Sequence, residues 1–156
     1  MIQISVVIPC YNEEENLKRG VLDEVFDFLN STDFKWEVII VNDESTDNSL
    51  KIANDFAKKH KNFRVLDLPH GGKPSAVWGG IRAARYPLVL FTDMDQSTPL
   101  KELNKLIPYV DDFDVIIGSR GKDRAGNSLI RKIMATCFLA FRRLILLPNI
   151  IDTQCG

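Results

Sequence analysis

Two aspartates, Asp93 and Asp95, stand at i and i+2 after the apolar run 88–91, where strand alternation would turn both carboxylates the same way. Two hard oxygen donors aimed at one point suit Mg²⁺ or Mn²⁺, which keep open positions for diphosphate oxygens and stabilise charge on a departing nucleoside diphosphate. A D-x-D pair is a common chance pattern, and its place at a strand end is what selects it. Other polar clusters follow the other apolar runs: Pro9 to Glu13, Asn42 to Asp47, His70 to Lys73, and Gly118 to Arg120. Each cluster alone could be turn and capping chemistry, and Asn12, Asp47 and Asn48 read equally well as caps. Five at five successive strand ends, with carboxylates in some and Lys or Arg in others, point to a site.

Within that set, Asp43 reads either as a base- or ribose-binding acid or as a helix cap. Tyr11 offers a ring face to a base or a plug for the sheet edge, and Glu13 offers an acceptor. Gly71 and Gly72 let backbone approach a ligand closely, and Lys73 adds a cation at the start of a helix. Arg120, Arg124 and Arg131 are suited to phosphate oxygens, although Arg124 reads better as a solvated loop residue. No G-x-G-x-x-G or phosphate-loop pattern occurs, which argues against a dinucleotide or ATPase site.

The elements that must position these residues are legible as apolar runs at 4–8, 36–41, 63–66, 88–91 and 115–117, predicting five strands. Helical spacing fills the gaps over 17–29, 50–57 and 76–84, with a short helix at 100–110 and a longer amphipathic one at 129–147. Continuous apolar strands alternating with helices predict a doubly wound α/β fold with a mainly parallel sheet and helices on both faces. Ligands in such folds bind beyond the carboxyl ends of the strands, where the polar clusters lie. The last helix has a wide apolar face flanked by Arg131, Lys132, Arg142 and Arg143, as either a core helix or an interfacial membrane helix would.

At 156 residues the chain is the size of one domain, and 45% apolar with 26% charged residues is an ordinary globular balance. A net charge of −1 without basic and aromatic interleaving argues against nucleic acid as a partner. Three scattered cysteines, Cys10, Cys137 and Cys155, suit neither a disulfide framework nor a zinc site and favour a reducing, cytoplasmic home. The start carries no signal-peptide pattern, and the apolar stretch 134–151 is interrupted by Arg142, Arg143 and Pro148, too short to span a bilayer.

Taken in order, these segments resemble the family 2 glycosyltransferases with a GT-A fold, the nucleotide-diphospho-sugar transferase type. Val6 to Glu13 and Val41 to Asp47 are similar to the family's two nucleotide-binding segments, Gly72 and Lys73 with Ala76 and Gly80 to its lysine loop, and Phe91 to Pro99 to its D-x-D segment. Gly118 to Arg120 and the terminal Asp152 to Gly156 resemble the dolichyl- and polyprenyl-phosphate sugar transferases, of the glucosyltransferase type. The resemblance implies an inverting transfer from a nucleotide-sugar, UDP- or GDP-linked, to a lipid phosphate at the membrane surface, assisted by Mg²⁺ or Mn²⁺. It further implies that Pro9, Tyr11, Glu13, Asp43, Lys73, Asp93 and Met94 contact the donor, and that Asp93 and Asp95 hold the metal. Arg120 and Arg131 would hold the acceptor phosphate; Asp95, Arg120 and Asp152 would serve catalysis, Asp152 as base were the acceptor a hydroxyl. A cytoplasmic domain, peripheral at the cytoplasmic face of the membrane, is the matching location.

Pro74 and Gln96 depart from the pattern, where a small residue and leucine are usual. Family members continue past the position of Gly156, so residues 1–156 are expected to form one nucleotide-sugar-binding domain truncated at its C-terminus. Two rivals follow from the same layout. A receiver-type signalling domain would need an acidic pair after the first strand, a lone phosphorylated Asp after the third and a Lys after the fifth, where the chain has Tyr11 and Glu13, His70 to Lys73, and Arg120. A catalytically silent nucleotide-binding module would bind without turnover.

Overall fold

The computed structural model describes residues 1–118. Residues from Met1 to Leu103 form one compact unit, and a second begins at Asn104. The first unit contains strands β1 (Gln3–Cys10), β2 (Lys35–Asp43), β3 (Phe63–Leu68) and β4 (Leu88–Phe91). Helices α1 (Glu14–Lys18), α2 (Val21–Asn30), α3 (Ser49–Lys59) and α4 (Gly72–Ala83) lie between them. All strand pairings are parallel, in the order β3-β2-β1-β4. The chain builds outward from β1 to β3 and then returns across the sheet to β4, which creates a topological switch between β1 and β4.

Alternation assigns the two faces. Val7, Ile39 and Val41 share one face and form a fully buried cluster with Ala76 of α4. Gly80 makes the close approach of α4 to this face feasible, because a Cβ there would collide with the side chains of Val7 and Val41. On the other face Trp36 and Phe63 meet Phe26 of α2, and Phe63 also meets Phe56 of α3 at 4.9 Å in a T-shaped contact. β1 and β2 are buried along nearly their whole length and mostly apolar because both faces are covered.

Glu37 of β2 is a charged exception, 4% exposed. Its carboxylate accepts from Ser5 Oγ at 2.8 Å, Arg64 Nε at 2.9 Å and the Arg85 amide at 2.7 Å. Tyr86 N donates in turn to Ser5 Oγ at 3.1 Å, so the network fixes where the chain enters β4. Burial pushes the Glu37 carboxyl up, but the bonds from Arg64, Ser5 and Arg85 together hold it below the usual glutamate range.

Three expectations need correction. The helix foreseen over 17–29 is two helices, broken where Gly20 adopts a left-handed φ of 91° that terminates α1 and opens α2. The helix foreseen over 100–110 is a pair of 3₁₀ turns, Leu100–Lys105 and Ile107–Tyr109; Pro108 has no N–H to continue an α-helical ladder. The run 115–117 forms no strand: Val115 and Ile117 are exposed, and three residues offer too few ladder hydrogen bonds to hold one.

Candidate functional site

The segment following each of the four strands contains a left-handed residue: Asn12 (φ 54°), Glu44 (φ 58°), Gly72 (φ 79°) and Gln96 (φ 50°). Three of the four are not glycine, and such backbone is sustained only where surrounding bonds enforce it. Those bonds are present. Asn12 Oδ1 accepts from Thr46 N at 2.8 Å, and Asn12 N donates to Ser45 Oγ at 3.1 Å. Glu13 N donates to Ser49 Oγ at 2.8 Å and Glu14 N to Asp47 Oδ2 at 3.2 Å, so the loop after β1 is stitched to the loop after β2. Asp47 accepts from the first amides of both α1 and α3, Glu14 N and Ser49 N, whereas the side chains of Asn12 and Asn48 make no helix cap and instead tie the two loops together.

Asp43, 2% exposed, is the last residue of β2 and lies on the α4 face. Its Oδ1 accepts the Gly71 amide at 2.8 Å and its Oδ2 the Gly72 amide at 3.0 Å. The N-cap residue of α4 is Gly71, which has no side chain to cap with, so a carboxylate from a neighbouring strand supplies the anion at this helix start. His70 Nδ1 lies 3.0 Å from Asp43 Oδ2 and 3.2 Å from Asp43 O, both acceptors, which assigns the proton to Nδ1. The carboxylate thus caps the start of α4.

His70, anchored also through its amide to Glu44 Oε2 at 2.9 Å, lies against Tyr11 with ring centroids 4.9 Å apart. Tyr11 is exposed, so the pair presents aromatic surface outward rather than plugging the sheet edge. Glu13 Oε2 accepts from Asn16 at 2.6 Å. Pro9 lies within β1, partly exposed, beside Val41. Cys10 is buried beneath the loop; burial, with the charge of Glu13 added, pushes its thiol up to about 12.

Beyond β4 the chain leaves the strand at Phe91, so Asp93 and Asp95 lie in a turn rather than on the strand itself. The in-and-out alternation survives: Met94 is 1% exposed, Asp93 partly exposed and Asp95 exposed. Met94 thus anchors the turn and offers no side-chain surface to a ligand. Lys73 Nζ is 2.5 Å from Asp93 Oδ1, joining the first turn of α4 to the turn after β4 across the switch. Asp95 accepts from Ser97 N at 2.8 Å and Ser97 Oγ at 2.6 Å. Gln96 Nε2 donates to the Asp93 carbonyl at 2.9 Å, and Arg19 reaches from the end of α1 to the Asp95 carbonyl at 2.8 Å.

The structure brings Lys73 and Asp93 into contact, sets Asp95 in the same turn, and pairs Tyr11 with His70. Arg120, Arg131 and Asp152, with Arg124, lie outside the described residues. Among the described residues no three His, Cys, Asp or Glu side chains form a metal cage. Two carboxylates in one turn nevertheless supply the hard oxygen donors that a divalent cation takes, the rest of its shell coming from ligand oxygens. Sequence reasoning held His70 and Glu44 only as members of polar clusters, without a role, and did not single out Arg19; Arg19 meets Asp95 across 76 residues, and no local pattern signals it.

A parallel, doubly wound α/β domain with an ion-paired carboxylate turn at its switch point has the layout of the α/β folds that take ligands beyond the carboxyl ends of their strands. The chain belongs to glycosyl transferase family 2, whose family profile matches residues 5–155. This sets aside the receiver-type alternative. A dolichyl-phosphate beta-glucosyltransferase of Drosophila melanogaster is 35% identical over 174 residues, covering 99% of this chain and 53% of that protein. One from Trichomonas vaginalis is 33% identical over 172 residues, covering 99% of this chain and 52% of that protein. The chain spans about half the length of these curated relatives. Among solved structures, the mannosyltransferase PcManGT from Pyrobaculum calidifontis, in complex with GDP-Man and Mn²⁺, superposes with a TM-score of 0.62 at 25% identity, covering 77% of this chain and 36% of that one. The GT-A fold is thereby shown. No helix among the described residues is long and apolar enough to cross a membrane.

Proposed function

We propose that this chain is the donor-binding domain of an inverting enzyme that transfers a sugar, glucose first among candidates, from a nucleoside diphosphate to a polyprenyl or dolichyl phosphate. The observation that carries the reading is the Asp93 to Asp95 turn paired with Lys73 at the β1/β4 switch, with the exposed Tyr11 and His70 rings in contact at the ends of other strands of the same sheet. Tyr11 and His70 present ring faces to the base. Lys73 offers a cation to the diphosphate once the donor arrives. Asp95 and Asp93 would hold Mg²⁺ or Mn²⁺, which when bound neutralises charge on the leaving diphosphate. Asp43 holds the His70 to Gly72 loop in place beneath the donor.

An acceptor phosphate is already ionised near neutral pH, so its oxygen attacks the anomeric carbon without a strong base while the carbon to diphosphate bond breaks, inverting the centre. Arg120 and Arg131 are proposed to hold that acceptor phosphate. Asp152 would matter as a base only for a hydroxyl acceptor. A lipid acceptor would put the reaction at a membrane surface, and the cytoplasmic face is part of the proposal. The test is a transfer assay with UDP-glucose, GDP-mannose and UDP-N-acetylglucosamine against a short polyprenyl phosphate, on this chain and on a version extended to the length of its relatives. Lipid-linked sugar from one donor in the extended protein supports the reading. Tight nucleotide binding without product from any donor would identify a silent binding module instead.

A further inference from the structure

The carboxylate turn has an internal scaffold and an external one. Inside, Gln96 N and Nε2 both donate to the Asp93 carbonyl, at 3.2 and 2.9 Å, and Ser97 donates twice to the Asp95 carboxylate. These bonds set the shape of the turn but not its place, since every partner lies within it. Placement comes from the buried Met94 side chain, from the Lys73 to Asp93 ion pair, and from Arg19, whose guanidinium donates to the Asp95 carbonyl at 2.8 Å from an element 76 residues away.

Arg19 is itself braced. It is the C-cap of α1, with its amide donating to Glu15 O at 3.0 Å, and the left-handed Gly20 ends the helix immediately after it. The other end of α1 is fastened to the loop after β2 through Glu14 N to Asp47 and through Asn48 to the Glu14 carboxylate. A five-residue helix fixed at one end therefore delivers a planar, charged donor to the peptide group of Asp95 at the other.

We infer that Arg19 is a positioning residue for metal binding: by holding the Asp95 carbonyl it fixes the direction in which the Asp95 carboxylate leaves the backbone. The inference rests on the proposed reading that Asp95 binds the divalent ion. Two effects of Arg19 oppose one another. Its positive charge repels a cation, but on an exposed side chain in salt that repulsion is small. Its charge-assisted hydrogen bond pre-organises the ligand and is the larger effect.

Manganese binding followed by electron paramagnetic resonance, with and without UDP, separates these. Arg19→Ala should weaken Mn²⁺ binding in the presence of UDP by about tenfold, the equivalent of roughly 1.4 kcal/mol. UDP affinity without metal and the melting temperature should stay close to wild type, because the side chain is exposed. Arg19→Lys, which keeps the charge and one donor, should recover part of the loss. Unchanged or tighter Mn²⁺ binding in Arg19→Ala, alongside its loss in Asp95→Asn, overturns the inference alone; an equal fall in UDP binding without metal also overturns it. Unchanged Mn²⁺ binding in Asp95→Asn would instead remove the reading beneath it.

Discussion

Glu37→Ala should be among the most destabilising single changes in the described residues, although it touches no ligand. The carboxylate receives three donors at 2.7 to 2.9 Å, and its removal strands the fully buried Ser5 hydroxyl and the Arg85 amide. A buried polar group left without a partner costs about 1–3 kcal/mol, and breaking a buried ion pair about 3–5 kcal/mol. Arg64 keeps 28% of its side chain exposed, so water recovers part of its loss and a total of roughly 3–4 kcal/mol follows. Glu37→Gln is informative beside it. An amide oxygen in the Oε1 position keeps the bonds from Ser5 and Arg85, and only the Arg64 contact meets a donor, for a cost of about 1–2 kcal/mol. Urea unfolding at pH 7, followed by circular dichroism, measures both.

The pH dependence has a definite sign. The folded carboxyl titrates below its unfolded value of 4.5, so its stabilisation is complete above pH 4.5 and fades as pH falls through the folded value. Glu37→Gln should lack that share of acid destabilisation. A cost below about 1 kcal/mol for Glu37→Ala, or equal costs for Ala and Gln, would refute the network reasoning.

Gly80→Ala sets a helix-propensity gain of about 1 kcal/mol against overpacking of about 1–3 kcal/mol on Val7 and Val41; the collision involves fully buried β-branched side chains, so net destabilisation is expected by thermal melting. Adding Val7→Ala should make the pair less harmful than the sum of the single changes, and additive costs would count against the contact. Cys10, buried and with its thiol pushed up to about 12, should resist alkylation at pH 8 in the native protein and react once unfolded, as read by mass spectrometry of its peptide.

The four strands were legible because β1 and β2 are apolar on both faces and β3 and β4 lie between recognisable turns. Two misreadings turned on single residues, Gly20 splitting one helix and Pro108 keeping another from forming as an α-helix, and the third was the short exposed run 115–117, which forms no strand. At the site, Asp93, Asp95, Lys73 and Asp43 stood out because each follows a strand. Their partners did not, since Asp43 caps a helix 28 residues on and Arg19 meets Asp95 across 76. Glu37 was hidden for the same reason: its donors come from β1, β3 and the loop before β4, and within its own strand nothing marks it as buried. Fold follows from local pattern here, whereas the bracing of the site depends on contacts that only the sheet order creates.

Diffraction from crystals grown with UDP and Mn²⁺, recorded at the manganese absorption edge, examines the central proposition directly. The expected result is an anomalous peak joining an Asp95 carboxylate oxygen to diphosphate oxygens, with the base beside Tyr11 and His70. Nucleotide bound without a metal peak at this turn, or bound away from the β1/β4 switch, would contradict it.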